Sequence, residues 1–296
     1  MLLLNASGCL DALAAPDVAR SLDAFVSKTV TPEPRVGNEP VRIAETAHGM
    51  LNSIGLQNPG RDRFLAEVLP RLRGLGLPLW ISVGGFAAHE YAETCAQLSD
   101  VTIELNLSCP NVDEAPESAA EIVAACRSAT PLRLFAKLSP MLPDIAEVAR
   151  AVEAAGADGL SLVNTIRGLE LDARTLQPRL ARAVGGYSGP ALKPVALAAV
   201  YACSRATDLP IVGMGGIWNG RDALEFLAAG ASAVALGTAL FTDPATPDRV
   251  RRELQESAEL FGLEDPLQAR GLAHGPQPRS AAPDLTTSKI PAFLAN

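Results

Sequence analysis

The sequence predicts a (β/α)8 barrel, an α/β fold in which eight parallel strands alternate with helices. Three observations lead to this prediction. Short apolar runs alternate with longer amphipathic segments, the runs are apolar throughout as in strands buried on both faces, and eight such units fit into 296 residues. A doubly wound open sheet is the alternative, but that fold usually has its glycine-rich turn after the first strand, whereas here such turns come late.

The first two predicted strands are Leu2–Asn5 and Ala24–Thr29, with short helices near Pro16–Ser21 and Arg61–Leu72. From residue 79 the alternation is regular. The six further strands are predicted at Leu79–Val83, Thr102–Asn106, Leu132–Leu138, Gly159–Val163, Pro210–Gly213 and Ala233–Leu236. The six later helices are predicted at His89–Leu98, Ser118–Ser128, Ile145–Ala155, Pro194–Thr207, Arg221–Ala229 and Pro247–Leu260.

Two insertions interrupt this repeat, at about residues 30–60 and 166–193. Both follow the C-terminal ends of predicted strands, where the active sites of barrel enzymes lie. Long irregular loops in compact domains tend to be functional. We therefore expect one barrel domain over residues 1–270 with functional insertions, and a C-terminal extension over 271–296 that is rich in Pro, Ala and Ser.

Composition limits the partners of the protein. The 25 Lys and Arg residues against 33 Asp and Glu give a net charge of -8, which argues against nucleic acid binding because a phosphate backbone needs a basic surface. The five cysteines are scattered with no CxxC spacing, as expected of free thiols in a reducing cytosol, and no metal-ligand cluster is predicted. The N-terminus lacks a basic targeting region, and no apolar run is long enough to span a membrane. The sequence thus favours a cytoplasmic protein with no membrane partner.

Glycine turns follow the last two predicted strands. Gly215 and Gly216 lie in the run Ile211–Ile217, and Gly237 lies in the run Ala233–Leu240. Loops at these two positions form the phosphate site of many barrels, and glycine allows phosphate oxygens to approach the backbone. Each turn alone could be merely structural, but their recurrence favours phosphate binding.

Polar side chains end several other strands. Asn106 and Asn111 flank Cys109 after the fourth predicted strand, and Lys28 and Lys137 lie at the ends of two apolar strands. A free cysteine is usually a small buried apolar residue, but a position between two amides at the barrel mouth favours a chemical role. The pair Asn164-Thr165 and the polar loop Asn52–Gly60 complete a predicted pocket with amides, two cations and a thiol.

These segments resemble the dihydroorotate dehydrogenases. The resemblance covers most of the chain and is most specific in the stretches SKTVTPEPRVGNEP, ETAHGMLNSIGLQNPG, ELNLSCPN, GGYSGPALKP, GMGGI and ALGTALF. It implies an FMN-containing (β/α)8 barrel that oxidises (S)-dihydroorotate to orotate in pyrimidine (UMP) biosynthesis. It also implies that Cys109 is the general base, which takes the C5 proton while hydride passes from C6 to flavin N5.

The resemblance further implies which residues bind each ligand. The substrate residues would be Lys28, Asn52, Ile54, Gly55, Leu56, Asn106, Asn164 and Thr165. The FMN residues would be Ser7, Lys28, Thr29, Ser82, Asn106, Lys137, Val163, Gly189, Gly215, Gly216, Gly237 and Thr238, with Lys137 near the N1–C2=O end of the flavin.

The subclass follows from two further features. The membrane-bound, quinone-using class has a serine base, so Cys109 indicates the soluble class 1. The stretch Ser188–Pro194 resembles the NAD-linked class 1B catalytic subunit, which pairs with an FAD and iron–sulfur electron-transfer subunit. A fumarate-using homodimer is the second interpretation, and the family resemblance implies a homodimeric core.

Three other functions remain open from the sequence. A dihydropyrimidine dehydrogenase acting on uracil or thymine would share the FMN barrel but would not need Lys28 and the Asn52 loop for a substrate carboxylate. A non-catalytic flavin-binding barrel is favoured only by the segment Val112–Glu117, which is shorter than the family's loop there. A role confined to regulation or to electron transfer is favoured only by the acidic charge, which is ordinary for this size.

Overall fold

The computed structural model describes residues 1–107 and 118–275. In these ranges eight strands form one parallel sheet: β1 (Leu2–Asn5), β2 (Phe25–Val26), β5 (Leu79–Val83), β6 (Thr102–Asn106), β7 (Leu134–Leu138), β8 (Gly159–Leu162), β11 (Ile211–Met214) and β12 (Ala233–Leu236). The strand order is β1-β12-β11-β8-β7-β6-β5-β2. Helices surround this sheet, and the prediction of a (β/α)8 barrel is confirmed.

The side chain of Asn5 closes the barrel between β1 and β2. In the described part of the chain, the bridge at this junction is the isolated one between Leu4 on β1 and Ala24, the residue before β2. The buried amide of Asn5 donates to the carbonyl oxygen of Val26 (2.8 Å) and accepts from the Val26 N–H (2.9 Å). One side chain thus satisfies backbone groups that a regular ladder would otherwise pair.

The second strand is shorter than predicted. Beyond Val26 the hydroxyl of Ser27 accepts the N–H of Ser82 on the neighbouring strand, at 3.1 Å. The Ser27 N–H still bonds to the carbonyl of Trp80, but a side chain takes the position of the backbone acceptor, and the regular ladder ends here. Lys28 consequently follows the strand instead of ending it.

The helices lie close to their predicted positions, except that the short helix Ala239–Thr242 was not predicted. They are α1 (Pro16–Arg20), α2 (Arg61–Arg63), α3 (Leu69–Arg73), α4 (Ala88–Ala96), α5 (Ala119–Ala129), α6 (Ile145–Ala154), α7 (Lys193–Ala206), α8 (Gly220–Ala228), α9 (Ala239–Thr242) and α10 (Thr246–Leu260). A π-helical segment, Phe64–Val68, joins α2 to α3. Pro70 follows this segment and has no N–H to donate, which is a common reason for a helix to depart from regular geometry.

The two insertions are not irregular, which corrects the expectation for both. They pair with each other as an antiparallel sheet of four strands: β3 (Ile43–Thr46), β4 (Gly49–Asn52), β9 (Ile166–Leu169) and β10 (Val184–Ser188), in the order β3-β4-β10-β9. Ala44, Leu51 and Leu180 form a small buried cluster against this sheet. The pairing joins segments that are 134 residues apart, as between Asn52 and Gly186.

The barrel interior and its outer shell have separate apolar cores. Inside the barrel pack residues from six strands and the segment before β2: Leu4, Ala24, Val26, Trp80, Phe135, Val212, Met214, Ala233 and Ala235. A larger cluster fills the space between the strands and the helices. No helix within residues 1–107 and 118–275 is long and apolar enough to cross a membrane.

The predicted extension begins against the barrel. Residues Leu272–His274 form a 3-10 turn, and Nε2 of His274 lies 3.0 Å from the hydroxyl of Ser204 on α7. The rest of the extension, residues 276–296, lies outside the described residues.

Candidate active site

A chain of hydrogen bonds crosses the C-terminal mouth of the barrel. The hydroxyls of Thr29 and Ser82 lie 3.0 Å apart, and the amide of Asn106 donates to the Thr29 hydroxyl at 3.2 Å. The amide of Asn164 donates to the side-chain oxygen of Asn106, also at 3.2 Å. Four predicted ligand residues from separate barrel segments are therefore in one network, and the phenol of Tyr91 supports it by donating to the carbonyl of Asn106.

A buried ion pair lies inside the barrel just below this network. The ammonium of Lys137 is 3.3 Å from a carboxylate oxygen of Glu104, and both residues are at most 4% exposed. Asn106 pairs with Lys137 across β6 and β7, and Glu104 comes two residues before Asn106 on β6, so the ion pair adjoins the strand end that carries the amide. Burying a charge is costly unless it is paired, which explains the presence of Glu104.

Lys28 brings a second ammonium to the same mouth. A Cβ placed on Gly8, which has φ +77°, would be 3.0 Å from Nζ of Lys28, so the loop after β1 leaves room for this ammonium. Burial lowers the pKa of Lys28, an effect that the Cys9 thiol opposes and Lys137 reinforces. Burial likewise raises the pKa of Cys9, against the attraction of Lys137 and Lys28. The two cations and this thiol thus belong to one electrostatic cluster.

The late glycines differ in whether the protein structure itself requires glycine. Gly215 and Gly216 have positive φ values of +115° and +85°, a conformation that L side chains rarely adopt. A Cβ on Gly216 would also lie 2.6 Å from the backbone nitrogen of Lys193. Gly237 differs, because a Cβ there would meet only Ala6 and Cys9 at ordinary distances of 3.6 and 3.7 Å. The described protein atoms do not require glycine at position 237, which is consistent with space kept for a ligand.

The insertion sheet contributes the other side of the mouth. Asn52 ends β4 and donates its amide to the carbonyl of Gly186 at 3.2 Å. Ile54, Gly55 and Leu56 follow in the loop after this strand, with positive φ at both Gly55 and Leu56. Gly189 follows β10, and a Cβ on it would lie 2.5 Å from the Cα of Gly49.

Most of the predicted ligand residues lie at or just beyond the C-terminal ends of strands. Ser7, Val163, Thr165 and Thr238 follow β1, β8 and β12, and the Thr238 hydroxyl donates to that of Ser188 at 2.9 Å. Cys109 and the loop from Asn111 to Glu117 lie outside the described residues.

Sequence reasoning missed four contributors: Glu104, Tyr91, Cys9 and the carbonyl of Gly186. For Glu104 the sequence did contain a signal of an ion pair. This carboxylate lies in an apolar predicted strand, and the next predicted strand carries Lys137.

Comparison with known proteins gives one consistent family. Residues 2–258 match the family model described as dihydroorotate dehydrogenase. The chain is 44% identical to the "Dihydroorotate dehydrogenase B (NAD(+)), catalytic subunit" of Listeria monocytogenes over 253 residues, which cover 82% of this chain and 83% of the relative. It is 46% identical to the protein of the same name from Trichlorobacter lovleyi over 263 residues, 85% and 84% of the two chains. Among solved structures, the DHODH of Eimeria tenella in complex with ferulenol superposes with a TM-score of 0.78 at 25% identity, covering 93% of this chain and 86% of that one.

Proposed function

Because this chain belongs to the dihydroorotate dehydrogenase family, it is an oxidoreductase that converts dihydroorotate to orotate in pyrimidine biosynthesis, and we propose that it does so with FMN as its flavin and Cys109 as its base. Dihydroorotate dehydrogenases are flavin-dependent enzymes. The observation that carries the proposal is the convergence of Thr29, Asn106 and Asn164 in one hydrogen-bonded network at the barrel mouth, next to the ammonium groups of Lys28 and Lys137.

The residues at the mouth fit FMN. Gly215 and Gly216 present backbone groups in a turn with positive φ. At Gly237 a side-chain Cβ would fit, so the open space there can receive a ligand, and Thr238 supplies a hydroxyl. These groups suit a phosphate, which binds well to backbone N–H groups of glycine turns. Ser7, Thr29, Ser82, Asn106, Val163 and Gly189 would hold the rest of the nucleotide and its ring. When bound, the flavin accepts hydride from C6 of the substrate.

Lys137 would face the ring of the flavin from inside the barrel. Its charge is paired with Glu104, and both residues are buried. A fixed ammonium in such surroundings stabilises developing negative charge without having to reorganise. This position is proposed from the family and from the pairing of Lys137 with Asn106 across β6 and β7.

The substrate residues would orient dihydroorotate between the mouth and the insertion sheet. Lys28 supplies a cation for the carboxylate or a ring oxygen. The amides of Asn52, Asn106 and Asn164 can both donate and accept, as the imide edge of the ring requires. Thr165 and the backbone of Ile54, Gly55 and Leu56 would complete the enclosure.

Cys109 would remove the proton from C5. In the sequence it comes three positions after Asn106, the last residue of β6, whose side chain belongs to the network at the barrel mouth. The thiol must lose its proton before or as it acts, since the thiolate is the base. One proton goes to Cys109 and one hydride leaves C6, which together account for the two hydrogens lost when the C5–C6 bond becomes a double bond.

The names of the relatives also indicate a protein partner for this chain. They are catalytic subunits of a B-type enzyme, which implies an electron-transfer subunit. We propose that this subunit carries FAD and an iron–sulfur cluster and passes the electrons to NAD, that the catalytic core is a homodimer, and that the enzyme is cytoplasmic. We also propose that residues 1–270 form the folding unit that binds FMN.

The test is anaerobic mixing of the FMN-loaded protein with dihydroorotate while the visible absorption of the flavin is followed. We expect rapid bleaching with dihydroorotate and none with dihydrouracil. The variant Cys109→Ala should retain FMN and bleach at least about 100-fold more slowly, the usual contribution of a general base. Cys203→Ala, at a buried cysteine on α7, is the matched control and should bleach like the wild type. Bleaching by dihydrouracil alone, or an unchanged rate in Cys109→Ala, would overturn the substrate or the base respectively.

A further inference from the structure

The turn Gly215-Gly216 is packed directly on the first turn of α7. A Cβ on Gly215 would lie 3.0 Å from Cβ of Ala196, and one on Gly216 would lie 2.6 Å from the backbone nitrogen of Lys193. The position of this turn therefore depends on where α7 begins. The turn then continues through Trp218 and Asn219 into α8.

Three charged side chains join α7 to α8. Nζ of Lys193 lies 2.6 Å from Oδ1 of Asp222 and 3.0 Å from a carboxylate oxygen of Glu225, both on α8. The other oxygen of Asp222 accepts the N–H groups of Trp218 (2.9 Å) and Asn219 (3.2 Å). Asp222 thus binds the first residue of α7 through one oxygen and the segment after the glycine turn through the other.

The ammonium of Lys193 is already occupied by two carboxylates, so its charge is matched within the protein. The side-chain part of Asp222 is 10% exposed and that of Lys193 is 28% exposed, which shields the pair more than a surface salt bridge. These contacts can hold the Gly215-Gly216 turn in a fixed position, since they connect the segment after it to α7 and to α8. Backbone N–H groups bind phosphate only when they point at its oxygens, so a small shift of this turn would weaken such binding.

We propose that Lys193 and Asp222 are positioning residues for the flavin phosphate. Their ion pair holds the Gly215-Gly216 turn in the conformation that receives the phosphate, without either side chain contacting the ligand. This inference rests on the proposed function, in which the turn binds FMN. It gives a role to Lys193, which lies in the family-like stretch Ser188–Pro194 but was assigned no ligand, and to Asp222, which lies in none of the family-like stretches.

The experiment compares FMN with riboflavin, which has the same ring and lacks the phosphate. Both are titrated into flavin-free protein, and binding is followed by the quenching of flavin fluorescence. Wild-type protein should bind FMN more tightly than riboflavin. In Lys193→Met and in Asp222→Asn the FMN dissociation constant should rise about tenfold, equivalent to about 1.4 kcal/mol of binding free energy. The riboflavin dissociation constant of each variant should stay within about twofold of the wild-type value, because riboflavin lacks the phosphate that the Gly215-Gly216 turn is proposed to bind.

Asp23→Asn is the matched control. Asp23 also accepts a backbone N–H, that of Leu3 at 2.8 Å, and pairs with an arginine, Arg251 at 3.2 Å, but it lies at the opposite end of the barrel. It should alter neither affinity. Lys193→Met retains the capping contacts of Asp222, so it remains informative if Asp222→Asn folds poorly.

The outcomes separate the two proposals. Unchanged FMN affinity in both variants, or an equal loss for FMN and riboflavin, would overturn the positioning role while leaving the phosphate site intact. Wild-type protein that binds riboflavin as tightly as FMN would remove the phosphate site itself and, with it, this part of the proposed function.

Discussion

Replacing Asn5 with alanine tests how the barrel is closed. The Asn5 side chain is fully buried, and it pairs with both backbone groups of Val26 across the junction of β1 and β2. After truncation the N–H and C=O of Val26 lose these partners. Each unsatisfied buried group costs about 1–3 kcal/mol. We therefore expect the free energy of unfolding to fall by about 2–6 kcal/mol, a large part of the roughly 5–15 kcal/mol that stabilises a typical domain.

Equilibrium unfolding in urea measures this loss, with the fluorescence of the buried Trp80 as the probe. Asn38→Ala is the matched control, since it also removes two side-chain hydrogen bonds, to the backbone and hydroxyl of Ser53, but it lies in the half-buried insertion. It should cost less than about 1 kcal/mol, because water can replace the lost partner there. A loss below about 1 kcal/mol in Asn5→Ala, with an unchanged urea slope, would refute the view that this side chain closes the barrel.

Three further changes have defined outcomes. Glu104→Gln should lower the free energy of unfolding by about 3–5 kcal/mol in urea, because the ammonium of Lys137 stays buried without this carboxylate; a loss under about 1 kcal/mol, as for an exposed pair, would contradict it. Orotate binding should weaken as pH rises from neutral toward the ordinary lysine pKa of about 10.4, because burial lowers the pKa of Lys28 below that value and the neutral amine no longer attracts the carboxylate. Titrations across this range should show the weakening move to higher pH in Lys28→Arg, and affinity independent of pH would count against the role of Lys28. Gly216→Ala should lower the free energy of unfolding, because alanine is strained at the positive φ of this position. Gly237→Ala should unfold in urea like the wild type but bind FMN more weakly. If both variants lost the same stability, Gly237 would be a structural glycine.

The barrel strands could be predicted from the sequence because strands buried on both faces are apolar throughout. The predicted bounds of β5, β6 and β12 agree with the structure at both ends, and those of β7 and β8 differ by at most two residues. The strand at Ala24–Thr29 was predicted too long for a specific reason. The hydroxyl of Ser27 substitutes for a backbone acceptor, and no hydrophobic pattern reports such a substitution.

The insertion sheet could not be predicted in the same way. Its strands contain glycine, polar and charged residues, as in the run Val184–Ser188, and they pair with a segment more than a hundred residues earlier. Local propensity carries no information about such a partner. The ligand residues proposed on the barrel could be selected more easily, because most of them lie in or just after a recognisable strand. The pairing of Glu104 with Lys137 depended instead on the register between β6 and β7, which the sequence does not state.

The insertion sheet matters to the site because it connects the substrate side to the phosphate side. Asn52 on β4 bonds to the carbonyl of Gly186 on β10, and two residues further along β10 Ser188 accepts the hydroxyl of Thr238, in the turn after β12. The strand β10 therefore contacts the proposed substrate amide at its middle residue and the proposed phosphate turn at its last residue. If the sheet shifts when substrate binds at Asn52, the strand provides a direct connection through which the nucleotide end would shift as well. Loss of the Thr238 hydroxyl should then change orotate affinity as well as FMN affinity, whereas two independent subsites would show an effect on FMN alone.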